Sequence, residues 1–362
     1  MKILTVVGNR PQFVKAAAVS SRLREAATET LVHTGQHYDR ELSAVFFEEL
    51  GVPPPSHELG VGSGTHAEQT GETMVRLEPL IEAERPDAVL VYGDTNATLA
   101  AALVAAKLLV PLAHVEAGMR SFDRRMPEEV NRVATDRLAG LRLCSTEAAV
   151  ANLRREGMGE GAHLVGDVMA DVAKRVGPLA EQRSRALERF GLEPGGYLLA
   201  TAHRAGNVDD PLALARLVEL LRRSAQRFGP LVFPVHPRTR SRLAAAGLLG
   251  ELEEVGGIEL CDSLGYLDFA RLVQGARAVL TDSGGLQKEA YLAGTPCVTL
   301  REQTEWVETV ESGWNRLVGL DSGLALAALA ELDGRRGEPD PLLYGDGEAG
   351  HRCVEQLLAW LS

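Results

Sequence analysis

The stretch TDSGGLQKEA, from Thr281 to Ala290, follows the short apolar run Arg277–Leu280. We predict a buried strand, a Ser-Gly-Gly turn and then a helix. The unpaired N–H groups at a helix start carry the positive end of the helix dipole, and two glycines let a phosphate approach the backbone closely. Glu289, one turn into the helix, would repel a phosphate at contact distance but suits the paired hydroxyls of a sugar. The stretch therefore predicts a nucleotide-diphosphate site; the alternative is a glycine-rich turn used only for strand–helix packing.

Short apolar runs alternate with helical patterns from one end of the chain to the other. This alternation predicts parallel sheets with right-handed crossovers, and the continuous apolar runs predict strands covered on both faces. The predicted strands are Lys2–Val7, Asp87–Tyr92, Pro111–Val115, Leu141–Cys144, Tyr197–Thr201, Leu231–Val235, Gly257–Leu260, Ala278–Thr281 and Pro296–Leu300. The predicted helices include Pro11–Ala26, His66–Glu84, Thr95–Leu108, Pro127–Leu138, Glu147–Glu156, Pro211–Phe228 and Ala349–Leu361.

The chain has 362 residues, which is longer than a single hydrophobic core usually supports. We predict the α/β class, with two doubly wound, Rossmann-like parallel-sheet domains that face a central cleft. The first is placed at residues 1–166 and the second at residues 167–348. A C-terminal helix at 349–362 is expected to pack back on the first domain. Because ligands of open α/β sheets bind at the carboxyl ends of the strands, polar residues there are the site candidates.

Composition excludes several function classes. The net charge of −12 argues against a general nucleic-acid binder. The apolar start of the chain is too short for a signal peptide, and the longest apolar run, Leu99–Ala106, is too short for a membrane span. The four cysteines lack Cys-x-x-Cys spacing, which predicts buried free thiols and no metal site. We therefore expect a cytoplasmic protein that binds neither nucleic acid nor membrane.

Three carboxylates follow predicted strands or begin a helix in the first half: Asp94, Glu116 and Glu128. Asp94 alternatively caps a helix, and Glu128 alternatively complements a helix dipole. Glu116 ends a buried strand, where a charge needs a partner, and the alternatives to a function are pairs with Arg120 or Arg124. Crowded carboxylates shift one another's pKa values and divide acid from base. Together the three predict chemistry in which one group removes a proton and another returns it.

Cations and histidines also follow predicted strands. Arg10 follows the first strand and Lys15 lies about one turn into the next helix, where both can reach a diphosphate; the alternative is surface charge. In the second half His203 and His236 each end a strand beside an arginine. A histidine there can donate to a phosphate or assist a leaving group. Phe269 either stacks on a base or belongs to the core.

Taken together, these residues resemble the non-hydrolysing UDP-N-acetylglucosamine 2-epimerases, whose members have the two-domain glycosyltransferase-B architecture. The resemblance covers essentially the whole chain, and its specificity comes from the order of the motifs. They are Gly8-x-Arg10-Pro11 with Lys15, Thr34-Gly35-Gln36-His37, Gly93-Asp94-Thr95, His114-Val115-Glu116-Ala117-Gly118, Pro127-Glu128-Glu129-x-Asn131-Arg132, His203-Arg204, His236-Pro237 and Ser283-Gly284-Gly285-x-Gln287-x-Glu289.

The resemblance implies an enzyme that inverts C2 of the amino sugar. UDP leaves by anti elimination to give 2-acetamidoglucal, a proton reaches the other face of C2, and UDP adds back. The family needs no metal or other cofactor for this chemistry, and a homodimer is expected. The implied catalytic residues are Asp94, Glu116 and Glu128 as acid and base in unassigned order, with His203 assisting phosphate departure and Lys15 near the phosphates or catalytic acids.

The resemblance also implies the ligand contacts. Arg10, Ser283, Gly284 and Gly285 would hold the diphosphate, Glu289 the ribose hydroxyls, and Phe269 the uracil. Some bacterial members use UDP-N-acetylglucosamine as an allosteric activator. The implied allosteric or sugar contacts are Gln36, Gln69, His236 and Arg120.

Two positions depart from the family pattern. Gln12 stands where many members have Glu, and Trp306 follows Thr304-Glu305 where many have Arg. Related enzymes act on UDP-diacetamido uronic acids, whose extra carboxylate needs a cation such as Arg120, Arg124 or Arg125. A hydrolysing 2-epimerase, a glycosyltransferase of the same architecture and a nucleotide-sugar sensor are three rival functions. A nicotinamide-dependent epimerase is disfavoured because no Gly-x-Gly-x-x-Gly follows the first strand.

Overall fold

The computed structural model describes residues 1–35, 54–254, 256–337, 340 and 343–362. The chain forms two compact units: Met1–Lys174 with Pro341–Ser362 make unit 1, and Arg175–Asp340 make unit 2. The sequence places the corresponding boundaries at residues 166 and 348. The structure keeps more of the chain in unit 1 because Asp167 N donates to Tyr344 O at 2.8 Å, which ties the two segments together.

Unit 1 contains a seven-stranded parallel sheet in the order β3-β2-β1-β4-β5-β6-β7. Its strands are β1 Lys2–Val7, β2 Thr28–His33, β3 His57–Glu58, β4 Ala88–Tyr92, β5 Leu112–Ala117, β6 Leu141–Cys144 and β7 Ala162–Leu164. Its described helices are α1 Arg10–Ala26, α2 His66–Glu84, α3 Asn96–Lys107, α4 Pro127–Leu138, α5 Glu147–Arg155 and, at the C-terminus, α16 Ala349–Leu361. Helix α6, Val168–Arg183, continues from unit 1 into unit 2.

Unit 2 contains a six-stranded parallel sheet in the order β10-β9-β8-β11-β12-β13. Its strands are β8 Leu198–Thr201, β9 Leu231–Pro234, β10 Ile258–Cys261, β11 Ala278–Thr281, β12 Cys297–Thr299 and β13 Asn315–Leu317. Its helices are α7 Ala186–Phe190, α8 Ala205–Val208, α9 Pro211–Phe228, α10 Pro237–Ala245, α11 Leu249–Glu253, α12 Tyr266–Gly275, α13 Gly284–Leu292, α14 Val307–Glu311 and α15 Ser322–Glu331. Parallel strands alternating with helices in both units confirm the predicted fold class.

Several helices begin where a short polar side chain caps them. Thr95 accepts a hydrogen bond from Thr98 N at the start of α3, and Asp210 accepts one from Ala213 N at the start of α9. Such caps satisfy N–H groups that the first helical turn leaves without partners. Helix α3 starts at Asn96, just beyond the carboxyl end of β4 at Tyr92, and the site candidate Asp94 lies between them.

Strand β2 is absent from the sequence prediction, and a buried charge explains why. Glu29 is the second residue of the strand, so the polar start Thr28-Glu29-Thr30 leaves only Leu31 and Val32 as an apolar run. Its carboxylate accepts hydrogen bonds from Thr5 Oγ1 at 2.7 Å, Ser20 Oγ at 2.8 Å and Arg24 Nε at 2.8 Å. These donors compensate the desolvation of the charge, so a glutamate fits a position that the pattern assigns to an apolar residue.

The four cysteines are buried free thiols, as the sequence predicts. Across the described ranges, no helix combines the length and the apolar composition that a membrane crossing requires.

Helix α16 generates the first prediction. A Cβ at Gly350 would overlap the carbonyl oxygen of Ala18 on α1 and lie 2.8 Å from its carbon. We expect Gly350→Ala to lower the free energy of unfolding by about 1–3 kcal/mol, because a backbone contact cannot relax as a side chain can. The matched control is Gly71→Ala in α2, where a Cβ meets open space. That change should be neutral or stabilise by up to about 1 kcal/mol through helix propensity. Denaturant melts of both variants test this; equal stabilities would contradict the packing described.

Candidate active site

The unit 1 site candidates lie where β1, β4 and β5 end. These strands are neighbours in the sheet, so the loops that follow them meet at one edge. Gly93 follows β4 with a φ of 62°. A Cβ on Gly93 would lie 3.1 Å from Lys15 Nζ and 3.4 Å from Glu116 Oε2. The positive φ favours glycine at this position, and a Cβ there would also crowd Lys15 Nζ from α1.

Glu116 ends β5 in a strained conformation. Its φ is 69°, and the register between β5 and β6 shifts between Val115 and Ala117, which is the pattern of a β-bulge. The Glu116 side chain is only 5% exposed and forms an ion pair with Lys15. The structure therefore gives Glu116 a different partner from Arg120 and Arg124, the partners that the sequence suggests. Strained non-glycine residues of this kind concentrate at functional sites.

Asp94 does not cap a helix, because Thr95 has that role at the start of α3. The Asp94 carboxylate forms an ion pair with Arg132 and is 30% exposed. Asn131 Nδ2 donates to the Asp94 carbonyl at 2.9 Å. Two neighbouring residues of α4 thus hold Asp94 at the same edge as Glu116 while leaving part of its carboxylate open to solvent.

The adjacent residues Glu128 and Glu129 have different environments. Glu129 is buried and accepts hydrogen bonds from Ser121 N at 2.9 Å and Phe122 N at 3.0 Å. Arg132 Nη1 also lies 3.2 Å from Glu129, so this carboxylate fixes the loop before α4. Glu128 is half-buried and makes no hydrogen bond or ion pair to any residue that the structure describes. Glu128 is therefore the member of the pair that can act on a ligand.

A buried ionic network lies behind these loops. His114 Nδ1 is 2.7 Å from Asp136 Oδ1, and His114 Nε2 is 2.7 Å from the Gly93 carbonyl oxygen. Arg120 Nη1 donates to Asp136 Oδ2 at 2.7 Å, and Arg120 also donates twice to Glu156 at 2.8 Å. Burial favours a raised pKa at Asp136, but the hydrogen bond from His114 and the Arg120 charge outweigh it and lower that pKa below its usual range.

Asp282 organises the loop after β8 in unit 2. Its buried carboxylate accepts from His203 N at 3.1 Å, Arg204 N at 3.0 Å and Asn207 Nδ2 at 3.1 Å. The His203 side chain is 42% exposed, with Nδ1 3.4 Å from the same carboxylate. The buried Asp282 carboxylate thus fixes the backbone of the loop, while the His203 imidazole remains accessible to a ligand.

The segment from Thr281 forms the predicted strand, turn and helix. Ser283 caps α13, with its hydroxyl accepting from Leu286 N. A Cβ on Gly284 would overlap the Glu305 carboxylate, which is paired with Arg301 at 2.8 Å. Gly285 is exposed at the helix start. The absence of a side chain at Gly284 is therefore a packing requirement, while the exposed Gly285 leaves the helix N-terminus open.

Four further candidates lie elsewhere in the two units. His236 caps α10, and its ring centroid is 5.8 Å from that of His203. Glu289 is half-buried one turn into α13, and Phe269 is half-buried against the unit 2 core. Gln69 Oε1 accepts from Asn96 Nδ2 at 2.8 Å in unit 1.

Three further candidates bear less directly on the site. Arg120 lies inside the buried network, where its two carboxylate partners give it a structural role that the predicted sugar contact does not include. The backbone of Arg10 begins α1, but its side chain lies outside what the structure describes. Gln36 also lies outside the described residues.

The two departures from the family pattern have physical explanations. Gln12 Oε1 accepts from Gly8 N at 2.6 Å, while its Nε2 donates to the Tyr92 carbonyl at 2.6 Å. A carbonyl oxygen only accepts, so an amide suits this buried position and an ionised carboxylate would not. Trp306 is buried, and Lys288 Nζ lies 4.1 Å from the centroid of its indole ring. The indole therefore contacts a cation of the protein itself.

Sequence reasoning missed Asp136, Arg132 and Asp282 as organising residues. Asp136 and Arg132 are both buried on α4, four residues apart, and buried charges at helical spacing are the signal that a pattern search could use. Their partners lie on other elements, so the sequence does not reveal them. In the described part of the chain, no group of three or more His, Cys, Asp and Glu side chains is arranged to hold a metal ion.

The sequence of this chain is similar to those of known sugar-nucleotide epimerases. Residues 21–358 match a family model described as UDP-N-acetylglucosamine 2-epimerase. The chain is 46% identical over 363 residues to the UDP-2,3-diacetamido-2,3-dideoxy-D-glucuronate 2-epimerase of Pseudomonas aeruginosa, with 99% of each protein covered. It is 44% identical over 358 residues to the UDP-N-acetylglucosamine 2-epimerase homolog of Methanococcus maripaludis, again with 99% of each covered.

A solved structure agrees with these matches. The crystal structure of Methanocaldococcus jannaschii UDP-GlcNAc 2-epimerase, in complex with UDP-GlcNAc and UDP, has a TM-score of 0.93 and 39% identity, and the match covers 99% of this chain and 100% of that one. The fold, the ordered motifs and the extent of the family match lead to one conclusion. The chain belongs to the UDP-N-acetylglucosamine 2-epimerase family.

Proposed function

We propose that this protein is a non-hydrolysing 2-epimerase that interconverts UDP-N-acetylglucosamine and UDP-N-acetylmannosamine. The observation that supports this most strongly is the edge of the unit 1 sheet, where Lys15 and Glu116 meet against Gly93 and where Asp94 also lies. Inverting C2 requires removal of a weakly acidic C–H proton on one face and delivery of a proton on the other. Several carboxylates held at one sheet edge suit that task.

The proposed reaction proceeds by elimination and re-addition. A carboxylate takes the C2 proton, the C2–H electron pair forms the C1–C2 double bond, and the C1–O bond breaks to release UDP. The resulting 2-acetamidoglucal accepts a proton at the opposite face of C2 while UDP re-forms its bond to C1. Asp94, Glu116 and Glu128 share the acid and base roles, in an order that we leave open. Lys15 stabilises the charge of Glu116 or of the departing diphosphate.

The unit 2 residues are proposed to hold UDP. His203 is exposed beside the loop that Asp282 fixes, so it can donate to the diphosphate as negative charge develops on it. The start of α13 supplies N–H groups and a favourable dipole. The proposed UDP contacts in unit 2 are Phe269, Ser283, Gly284, Gly285 and Glu289; Arg10, a further proposed contact, belongs to unit 1.

A UDP-diacetamido uronic acid is a second candidate substrate, because the Pseudomonas aeruginosa relative named for that sugar is 46% identical. Its extra carboxylate needs a cation. Arg125 is paired with Asp123, and Arg120 is buried in its network. Arg124 is exposed and forms no ion pair with any described residue, so it is the cation that we assign to this alternative. UDP-N-acetylglucosamine remains our first choice, given the family description.

Three further features stay predictions: a homodimer, allosteric activation through Gln36, Gln69 and His236, and a cytoplasmic location. Light scattering tests the first. Sigmoidal rates at low substrate concentration would support the second, and hyperbolic rates would contradict it. Cell fractionation tests the third.

Proton NMR in D₂O with UDP-N-acetylglucosamine, and no added metal or nicotinamide, tests the proposed function. We expect UDP-N-acetylmannosamine to appear with deuterium at C2. Free N-acetylmannosamine and UDP would instead identify a hydrolysing enzyme. If only the diacetamido uronate is epimerised, the second candidate substrate replaces the first.

The pair Glu128 and Glu129 generates a second test. We expect Glu128→Gln to lower kcat by about 100-fold or more, as loss of an acid or base does, with an unchanged melting temperature because Glu128 has no described partner. Glu129→Gln is the matched control, and it should cost about 1–3 kcal/mol of stability because four donors lose a charged acceptor. Wild-type kcat in Glu128→Gln would remove this residue from the mechanism.

A further inference from the structure

We propose that His114 is a positioning residue, which holds the Gly93–Asp94 turn through one ring nitrogen and couples it to the Glu116 strand end through the other. This inference rests on the proposed function, because it assumes that Asp94 and Glu116 carry the proton transfers. His114 itself does not touch substrate in this mechanism, since its side chain is fully buried.

The first contact has one hydrogen-bonding direction. His114 Nε2 lies 2.7 Å from the carbonyl oxygen of Gly93, and a carbonyl oxygen can only accept. Nε2 therefore carries a proton and donates it. The carbonyl belongs to the residue before Asp94, so this hydrogen bond fixes the direction in which the chain enters the Asp94 position. The hydrogen bond from the His114 imidazole thus stabilises the left-handed conformation of Gly93.

The second contact joins the other loop. Asp136 Oδ1 lies 2.7 Å from His114 Nδ1, and Asp136 Oδ2 accepts from Gly118 N at 3.1 Å and from Arg120 Nη1 at 2.7 Å. Asp136 Oδ2 thus already accepts two hydrogen bonds, while Oδ1 faces His114. Gly118 follows the bulge at Glu116 by two residues. One buried histidine–aspartate pair therefore contacts the backbone on both sides of the sheet edge that carries the carboxylates.

The alternative is an ordinary core histidine whose polar atoms happen to be satisfied. Its partners argue otherwise: the Gly93 carbonyl belongs to a turn with positive φ, and Gly118 belongs to the segment that leaves the strained Glu116. Acid–base groups must be held within a fraction of an ångström of their productive geometry. Residues that lock such loops influence turnover more than substrate binding.

Two substitutions separate the two hydrogen bonds of His114. His114→Asn keeps a donor near the Nδ1 position, facing Asp136, and loses the donor to Gly93. His114→Gln keeps a donor near the Nε2 position, facing Gly93, and loses the donor to Asp136. Ser20→Ala is the matched control for stability, because it deletes a buried 2.8 Å hydrogen bond to Glu29 in a separate part of unit 1. The readouts are kcat, KM, melting temperature and the rate of deuterium entry at C2.

We expect His114→Asn to lower kcat about tenfold or more with KM within about twofold of wild type, as misplacement of a reacting group does. His114→Gln should recover most of that loss, and Ser20→Ala should lower the melting temperature without changing kcat. Wild-type kcat in His114→Asn would overturn the proposal. Equal losses in both His114 variants, in proportion to their melting temperatures, would also overturn it.

A readout without turnover separates this inference from the proposed function. Wild-type protein that fails to exchange the C2 proton of either UDP-sugar contradicts the proposed function alone. In protein labelled with ¹⁵N-histidine, Nε2 of His114 should then still carry a proton, because it faces the Gly93 carbonyl oxygen, with the signal assigned by its loss in His114→Asn. An Nε2 without a bound proton would overturn the hydrogen bond to Gly93, and with it the proposal, whatever the activity.

Discussion

The ion pair of Lys15 and Glu116 lies directly against the backbone of Gly93, within 3.4 Å of where a Cβ would stand. A cation from α1 and a carboxylate from the end of β5 meet against the backbone that follows β4, where a Cβ on residue 93 would crowd Lys15 Nζ at 3.1 Å. The order β1-β4-β5 in the sheet is what brings these segments together. The order places β1 beside both β2 and β4, so the crossovers run to either side of it, which is the topological arrangement at which open α/β sheets bind ligands.

This arrangement has a cost that folding alone does not explain. Glu116 has a positive φ at a bulge and a nearly buried carboxylate, and each of these is unfavourable without compensation. Lys15 offsets the buried charge, and the His114–Asp136–Arg120 network holds the backbone on either side. A chain selected only for stability would place an apolar residue in a regular strand there. The combination of local strain and dense support is what a site for proton transfer requires.

Much of the architecture could be predicted because local signals agree with the fold. Proline and short polar residues mark helix starts such as Pro127 and Pro211, and continuous apolar runs mark the central strands. The prediction failed where a contact between different helices and strands decides the outcome. Strand β2 was not predicted because Glu29 is a charged residue at a buried position, where donors from β1 and α1 satisfy its carboxylate. For the same reason, the pairing of Glu116 with Lys15 and the role of Asp136 emerge only from three-dimensional contacts.

The claim that the approach of Lys15 and Glu116 against Gly93 organises proton transfer is tested most directly by deuterium entry at C2 of UDP-N-acetylglucosamine in a Gly93→Ala variant. Gly157→Ala is the control, because Gly157 has a φ of 74° and a Cβ there meets open space, so it shares the backbone strain without the contact. We predict that Gly157→Ala exchanges the C2 proton at nearly the wild-type rate, while Gly93→Ala loses about two orders of magnitude and still binds UDP. Exchange by Gly93→Ala at the same rate as the control would contradict the claim.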